Sequence, residues 1–150
     1  MIDNIDKNII ELLQINGKYS FKEIGKEVGL SISAINERIK KLESQGILKK
    51  TVSVIDPLKL GLEVCAFVKV LVSSSQEGLD FIDSVLKVKE IQEFHTISGD
   101  YSYLLKIRAR NNQELDNILK EKVKSIKGVV RTNSMIVLAS HKEEISVHID

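Results

Sequence analysis

Apolar residues recur at helical spacing in the N-terminal third of this chain and alternate at strand spacing through much of the remainder. Ile5, Ile9, Leu12 and Leu13 predict a first helix, from an Asp3 or Asp6 cap to about Asn16. Ser20 with Glu23 three residues on forms a capping box, in which hydroxyl and carboxylate each satisfy an orphan backbone donor. Phe21, Ile24 and Val28 fall on one face of the helix it opens. Gly29 comes next, where a left-handed position costs glycine nothing; Leu30 tucks under the corner, and Ser31 caps the next helix. There Ile35, Ile39 and Leu42 face inward, and Gly46 ends the run. Two short helices around a tight turn, covered by a preceding helix, form the layout of a helix-turn-helix DNA reader. Ile47 to Val54 (ILKKTVSV) predicts a short strand or hairpin arm, as in the wing of a winged helix.

Asp56-Pro57 then interrupts the chain, because the residue before proline avoids helix and proline cannot donate. The expected organisation is therefore a winged helix-turn-helix over 1–55, a hinge or linker over 56–62 and a second domain over 63–150. In that second domain Val64, Ala66, Val68, Val70 and Val72 share one strand face, and Ser74 with Glu77 caps a helix carrying Leu79, Ile82, Val85 and Leu86. Ile91 to Ser98 and Tyr103 to Arg110 read as a hairpin split at Gly99-Asp100, with Tyr103, Leu105, Ile107 and Ala109 on one face. Asn111 with Glu114 opens a helix whose inward positions are Leu115, Ile118, Leu119, Val123 and Ile126, and Gly128 precedes a last strand, Val129 to Ala139. The fold class is therefore α+β with two domains, the second with the βαββαβ order of a ferredoxin-like sheet. Both helices of such a sheet cover one face. The other would carry Cys65, Phe67 and Leu71, too apolar to leave in water, so a second subunit is expected to cover it.

Charge changes the picture only locally. The whole chain nets +1. Lys18 to Lys50, however, holds eight basic and four acidic residues, a net of +4, so positive charge is concentrated where the helix pair lies. Around the second helix of that pair, Arg38 and Asn36 suit bidentate contacts to base edges; Ser33, Lys40 and Lys41 suit phosphate or sugar. Ala34 permits close approach. Ser20, Ser31, Glu37 and the arm residues Lys49 and Lys50 complete the candidate DNA-binding set. No run of about eighteen apolar residues occurs and the N-terminus opens with acids, so a cytoplasmic protein is expected. Cys65 is alone inside an apolar strand and reads as a buried small hydrophobe. His95, His141 and His148 lie far apart without matching carboxylate spacing, so neither a metal site nor a cofactor is expected. With no nucleophile and base pair either, the chain is not expected to be an enzyme.

Three stretches resemble the leucine-responsive regulatory protein and AsnC family of transcription regulators: IDKNIIELLQINGKYSFKEIGKEVGLS, ERIKKLESQGILK and IQEFHTISGDYSYLLKIRA. The resemblance spans nearly the whole chain. It implies an N-terminal winged helix-turn-helix bound to double-stranded DNA, a hinge, and a ferredoxin-like domain that senses an amino acid or related small effector. It also implies homodimers through the sheet, assembled as a tetramer of dimers, an octamer. By the same resemblance the effector sits between dimers against Thr96, Ile97, Gly99, Asp100, Tyr101 and Ser102, with Thr132 and Ser134 of a neighbour's last strand. A glycine loop beside a carboxylate suits a zwitterion, since free N–H groups meet its carboxylate and Asp100 meets its ammonium. Two positions depart from the family pattern. Ser102 stands where a second acid is frequent, and Ile32 where proline often opens the recognition helix. The expected function is sequence-specific transcription regulation modulated by an effector; the competing reading is an effector-independent architectural protein that wraps DNA.

Overall fold

The computed structural model describes residues 2–150. Contacts divide them into two units: the chain up to Val54 together with Lys142–Asp150, and Ile55–His141.

The first unit is built on three helices, α1 (Asn4–Ile15), α2 (Phe21–Val28) and α3 (Ile32–Ser44). Each begins on a side-chain cap. Asp3 and Asp6 form a reciprocal box at α1, Ser20 and Glu23 another at α2, and Ser31 accepts from the Ala34 N–H at α3. The turn after α2 is the one expected, with Gly29 left-handed at φ 74°. Ile9, Ile10, Ile24, Ile35, Ile39 and Leu42 close into one core. Phe21 departs from expectation: at the first position of α2 it is 38% exposed, because the helix end carries it beyond the buried stripe.

No strand forms over residues 47–54. A strand needs a ladder partner, and among the described residues none pairs with this segment, so the expected wing is an irregular arm with Lys49 and Lys50 exposed. Residues 142–150, expected with the second domain, instead pack on the first unit. The Gln14 side chain there accepts from the Val147 N–H at 2.7 Å and donates to its carbonyl at 3.1 Å; the Lys7 ammonium donates to the Asp150 carbonyl, and Ile149 joins the helical core.

In the second unit the hinge contains a single 3-10 turn, Leu58–Leu60, started by Pro57 and closed by Gly61. It leads into β1 (Val64–Val72), α4 (Ser75–Val85), β2 (Ile91–Thr96), β3 (Tyr103–Ala109), α5 (Asn112–Ile118) and β4 (Val129–Ile136). The sheet is antiparallel in the order β2-β3-β1-β4, as the βαββαβ reading requires. Its helix-covered face buries Ala66, Val68, Val70, Leu105 and Ile107 against Phe81 and Val85 of α4 and Leu115 and Ile118 of α5. The inward stripe of α4 runs through Gly78, Phe81 and Val85, and the expected Leu79 and Leu86 face solvent. Phe81 displaces them because its ring stacks on Tyr103 with centroids 5.1 Å apart and meets Phe94 edge-on. Beyond Ile118 the helix widens into a π turn over Leu119–Lys124 that keeps Leu119 and Val123 buried.

Candidate nucleic-acid interface and effector loop

The buried stripe of α3, Ile35, Ile39 and Leu42, defines which residues are left outward. Ser33, Glu37, Lys40 and Lys41 are exposed and Ala34 and Asn36 half-buried on its flanks. The helix is presented on a corner tight enough to demand two glycines. Gly29 supplies the left-handed residue, and Gly25 supplies room, since a Cβ there would stand 2.6 Å from the Leu30 carbonyl oxygen. The Leu30 N–H closes the corner by donating to the Gly25 carbonyl at 2.9 Å. Gly25 was missed by the sequence reading; the signal that could have found it is a glycine inside a helical pattern, where alanine would favour the helix more.

The cap hydroxyls are committed locally. Ser20 donates to Glu23 at 2.7 Å, and the Ser31 oxygen lies 3.0 Å from that of Ser33. The Ser20 hydroxyl, and after it the Ser20 N–H, hold the Glu23 carboxyl below its ordinary range.

Arg38, expected at base edges, is engaged elsewhere. Its Nη1 donates to Asp3 Oδ2 and to Asp6 Oδ1, both at 2.7 Å, which ties α3 to the start of α1. The two acids raise the arginine still further above its ordinary value, Asp3 first, while Asp3 is lowered by the Asp6 N–H and then by Arg38. This pairing was invisible in the sequence because its partners lie more than thirty positions apart, at |i−j| of 35 and 32.

In the second unit, the β2–β3 connection holds Ile97, Gly99, Asp100, Tyr101 and Ser102 together beyond Thr96, the last residue of β2. Its neck is closed by the Ile97 N–H donating to the Ser102 carbonyl at 3.0 Å and the Ser102 N–H donating to the Val70 carbonyl at 2.9 Å. Gly99 at φ 109° makes the reversal and Asp100 is exposed at its tip. Tyr101 turns over the sheet face without helices, where Arg131 lies 4.8 Å and Lys69 5.9 Å from its ring centroid. Those two cations were missed by the sequence reading; they meet Tyr101 only through strand pairing, in which Leu71 faces Arg131 and Lys69 faces Asn133. Thr132 and Ser134 lie on β4 opposite Val70 and Val68, so they share the helix-covered side, whereas Tyr101 meets Arg131 of the same strand on the other face. Tyr103 is buried, its hydroxyl donating to the Gly78 carbonyl at 3.2 Å.

The open face carries half-buried Phe67 and Leu71 and exposed Met135 beside Lys69, Arg131 and a Glu93–Lys106 bond of 2.8 Å. Lys106 is the main reason the Glu93 carboxyl sits below its ordinary range. No group of histidine, cysteine and carboxylate residues among the described residues could hold a metal ion. No helix among them is long and apolar enough to cross a membrane.

A helix-turn-helix joined in one chain to a four-stranded antiparallel sheet with its helices on one face defines a two-domain protein, a DNA-binding motif followed by a ferredoxin-like domain. Residues 2–43 match the AsnC-type helix-turn-helix domain and residues 65–147 the Lrp/AsnC ligand binding domain, and the chain belongs to the Lrp/AsnC family of transcription regulators. It is 43% identical over 143 residues to the HTH-type transcriptional regulator FL11 of Pyrococcus furiosus, covering 95% of this chain and 93% of that one. To the leucine-responsive regulatory protein of Escherichia coli it is 33% identical, over 95% of this chain and 88% of the relative. Among solved structures, a Neisseria meningitidis transcriptional regulator in complex with L-Met superposes with a TM-score of 0.94 at 28% identity, covering 99% of this chain and 97% of that one.

Proposed function

We propose that this regulator binds specific duplex DNA through the outward face of α3 and that a small amino-acid effector, held at the β2–β3 loop between dimers, modulates that binding. The observation that carries the first half is the exposed row Ser33, Glu37 and Lys40, presented by a corner with no slack at Gly25 and Gly29. Lys41, Lys49 and Lys50 supply phosphate contacts. For the second half, exposed Asp100 offers an acceptor to an ammonium and the Gly99 turn offers backbone donors to a carboxylate; the Neisseria relative's complex with L-Met supports that chemistry. Thr132 and Ser134, on the sheet face opposite to Tyr101, enter the reading as contributions from a neighbouring subunit. Dimerisation through the open sheet face, an assembly of dimers, a cytoplasmic location and the absence of enzymatic activity complete the proposal.

Coupling would work by differential affinity: an effector shifts assembly only by what it gains in one state over the other, commonly about 1–3 kcal/mol. The test is the thermal unfolding midpoint against each of the twenty amino acids. A ligand at a hundredfold excess over its Kd adds about 2.7 kcal/mol to the native state, a shift of several degrees. One hit abolished by Asp100→Ala supports the sensor; twenty flat curves, repeated on the DNA complex, favour the effector-independent architectural reading.

A further inference from the structure

We propose that Arg38 is a positioning residue, which sets how α3 is presented to DNA by tying it to the two acids of α1, and that it does not itself read bases. The proposal rests on α3 being the DNA-contacting helix. Three observations carry it. One guanidinium nitrogen is shared between Asp3 and Asp6 at 2.7 Å each, so the contact is charge-assisted on both sides. Both acids are already bonded within the cap, although Asp3 is exposed: Asp3 Oδ1 accepts from the Asp6 N–H at 2.8 Å and Asp6 Oδ2 from the Asp3 N–H at 3.2 Å. The capping box that starts α1 is therefore also the socket for Arg38. Finally, Asp6 is buried, 3% exposed, so withdrawing the arginine to a base edge would leave a carboxylate without its cation in a desolvated place.

The arrangement also settles where positive potential comes from. A guanidinium between two carboxylates presents no net positive charge to a polyanion, and the attraction falls to the exposed lysines between Lys18 and Lys50, with Lys40 and Lys41 on α3 itself. Sequence discrimination falls to Ser33, Asn36 and Glu37 on the first turns of α3, whose orientation depends on a clamp located on a different helix.

Positioning and base reading predict opposite signs for one change. An acid near a DNA interface that merely repels phosphate improves binding when neutralised; an acid that seats the recognition helix weakens it. Asp3→Asn is the cleanest variant, because asparagine caps a helix as well as aspartate while losing the charge. The experiment measures binding of the full chain to a duplex selected from a random pool and to an unrelated duplex. It compares the parent with Asp3→Asn, Asp6→Asn, Arg38→Lys and Arg38→Ala, at a temperature where circular dichroism shows each fully folded.

For Asp6→Asn and Arg38→Ala we expect the selected duplex to bind about tenfold more weakly, the scale of a lost hydrogen bond to a charged group. Asp3→Asn and Arg38→Lys should fall between them and the parent. Duplexes reselected with Arg38→Ala should show the parent's base preferences, and the salt dependence should keep its slope because no phosphate contact is lost. If Asp6→Asn fails to fold, Asp3→Asn and Arg38→Lys carry the same comparison. Tighter or unchanged binding by folded Asp3→Asn, or loss of preference at a single base pair in Arg38→Ala, overturns the proposal. A parent chain that binds no duplex with salt-sensitive affinity overturns the DNA-reader assignment as well.

Discussion

At the residue scale, the two glycines of the helix-turn-helix corner do different jobs, and the difference is measurable. Gly25 has an ordinary backbone but no room, with the Leu30 carbonyl 2.6 Å from where a Cβ would sit; Gly29 has open space but φ 74°. Gly25→Ala must push backbone against backbone and should destabilise the chain by about 1–3 kcal/mol in urea unfolding. Gly29→Ala pays only the left-handed penalty, about 1–2 kcal/mol, without the packing displacement. Near-equal losses that come with no change in the nuclear magnetic resonance shifts around Leu30 would refute the steric account. Charge acts at the same scale. Glu90, Glu93 and Glu114 are held below the ordinary carboxylate range, chiefly by Lys122, Lys106 and Arg110 respectively. Groups lowered by folding stabilise above their unfolded value and lose that contribution as pH falls through the folded one. The unfolding midpoint should therefore stay level from about pH 7 to 5 and fall below about pH 4.5; Glu90→Gln should flatten that fall.

Among the elements, α4 shows how a periodic pattern can be read one step out of phase. Its spacing allowed Leu79 and Leu86 inward, yet the helix turns Phe81 into the sheet, where it stacks on Tyr103. Gly78 makes this possible: the Tyr103 hydroxyl would lie 2.8 Å from a Cβ there, and it donates to the Gly78 carbonyl instead. Phe81→Ala should cost about 3–5 kcal/mol in denaturant unfolding, whereas Leu79→Ala, on an exposed site, should stay within about 0.5 kcal/mol. Caps behaved differently from packing. Ser20 with Glu23, Ser74 with Glu77, and Asn111 with Glu114 all start helices where their spacing says, because a cap is local chemistry over three residues; of the two acids that could open α1, Asp3 is the cap and Asp6 completes its box. The wing is the converse: strand-like composition over residues 47–54 forms no strand without a partner.

On the scale of the molecule, the open sheet face is the feature a monomer explains least. Phe67, Leu71 and Met135 lie together on it through the pairing of β1 with β4. If a second copy covers that face, Leu71→Glu should place a carboxylate in the interface and shift sedimentation toward the monomer at micromolar concentration, leaving the helical core intact by circular dichroism. A Leu71→Glu variant that sediments like the parent would place the interface elsewhere. The C-terminal segment works at this scale too. Removing residues 145–150 deletes the paired bonds to Gln14 and the apolar contact of Ile149, and should lower the unfolding midpoint of the helical unit by several degrees.

The helices, their caps, the glycine corner, the βαββαβ succession of elements and the family were legible in the amino-acid order alone, because each is written in spacings of a few residues or in contiguous motifs. Tertiary packing decided that Arg38 belongs to Asp3 and Asp6, that Tyr101 lies beside Lys69 and Arg131, and that residues 142–150 return to α1. Such contacts join positions far apart along the chain, and no local periodicity encodes a partner. They exist only once the helices have packed and the strands have chosen their register.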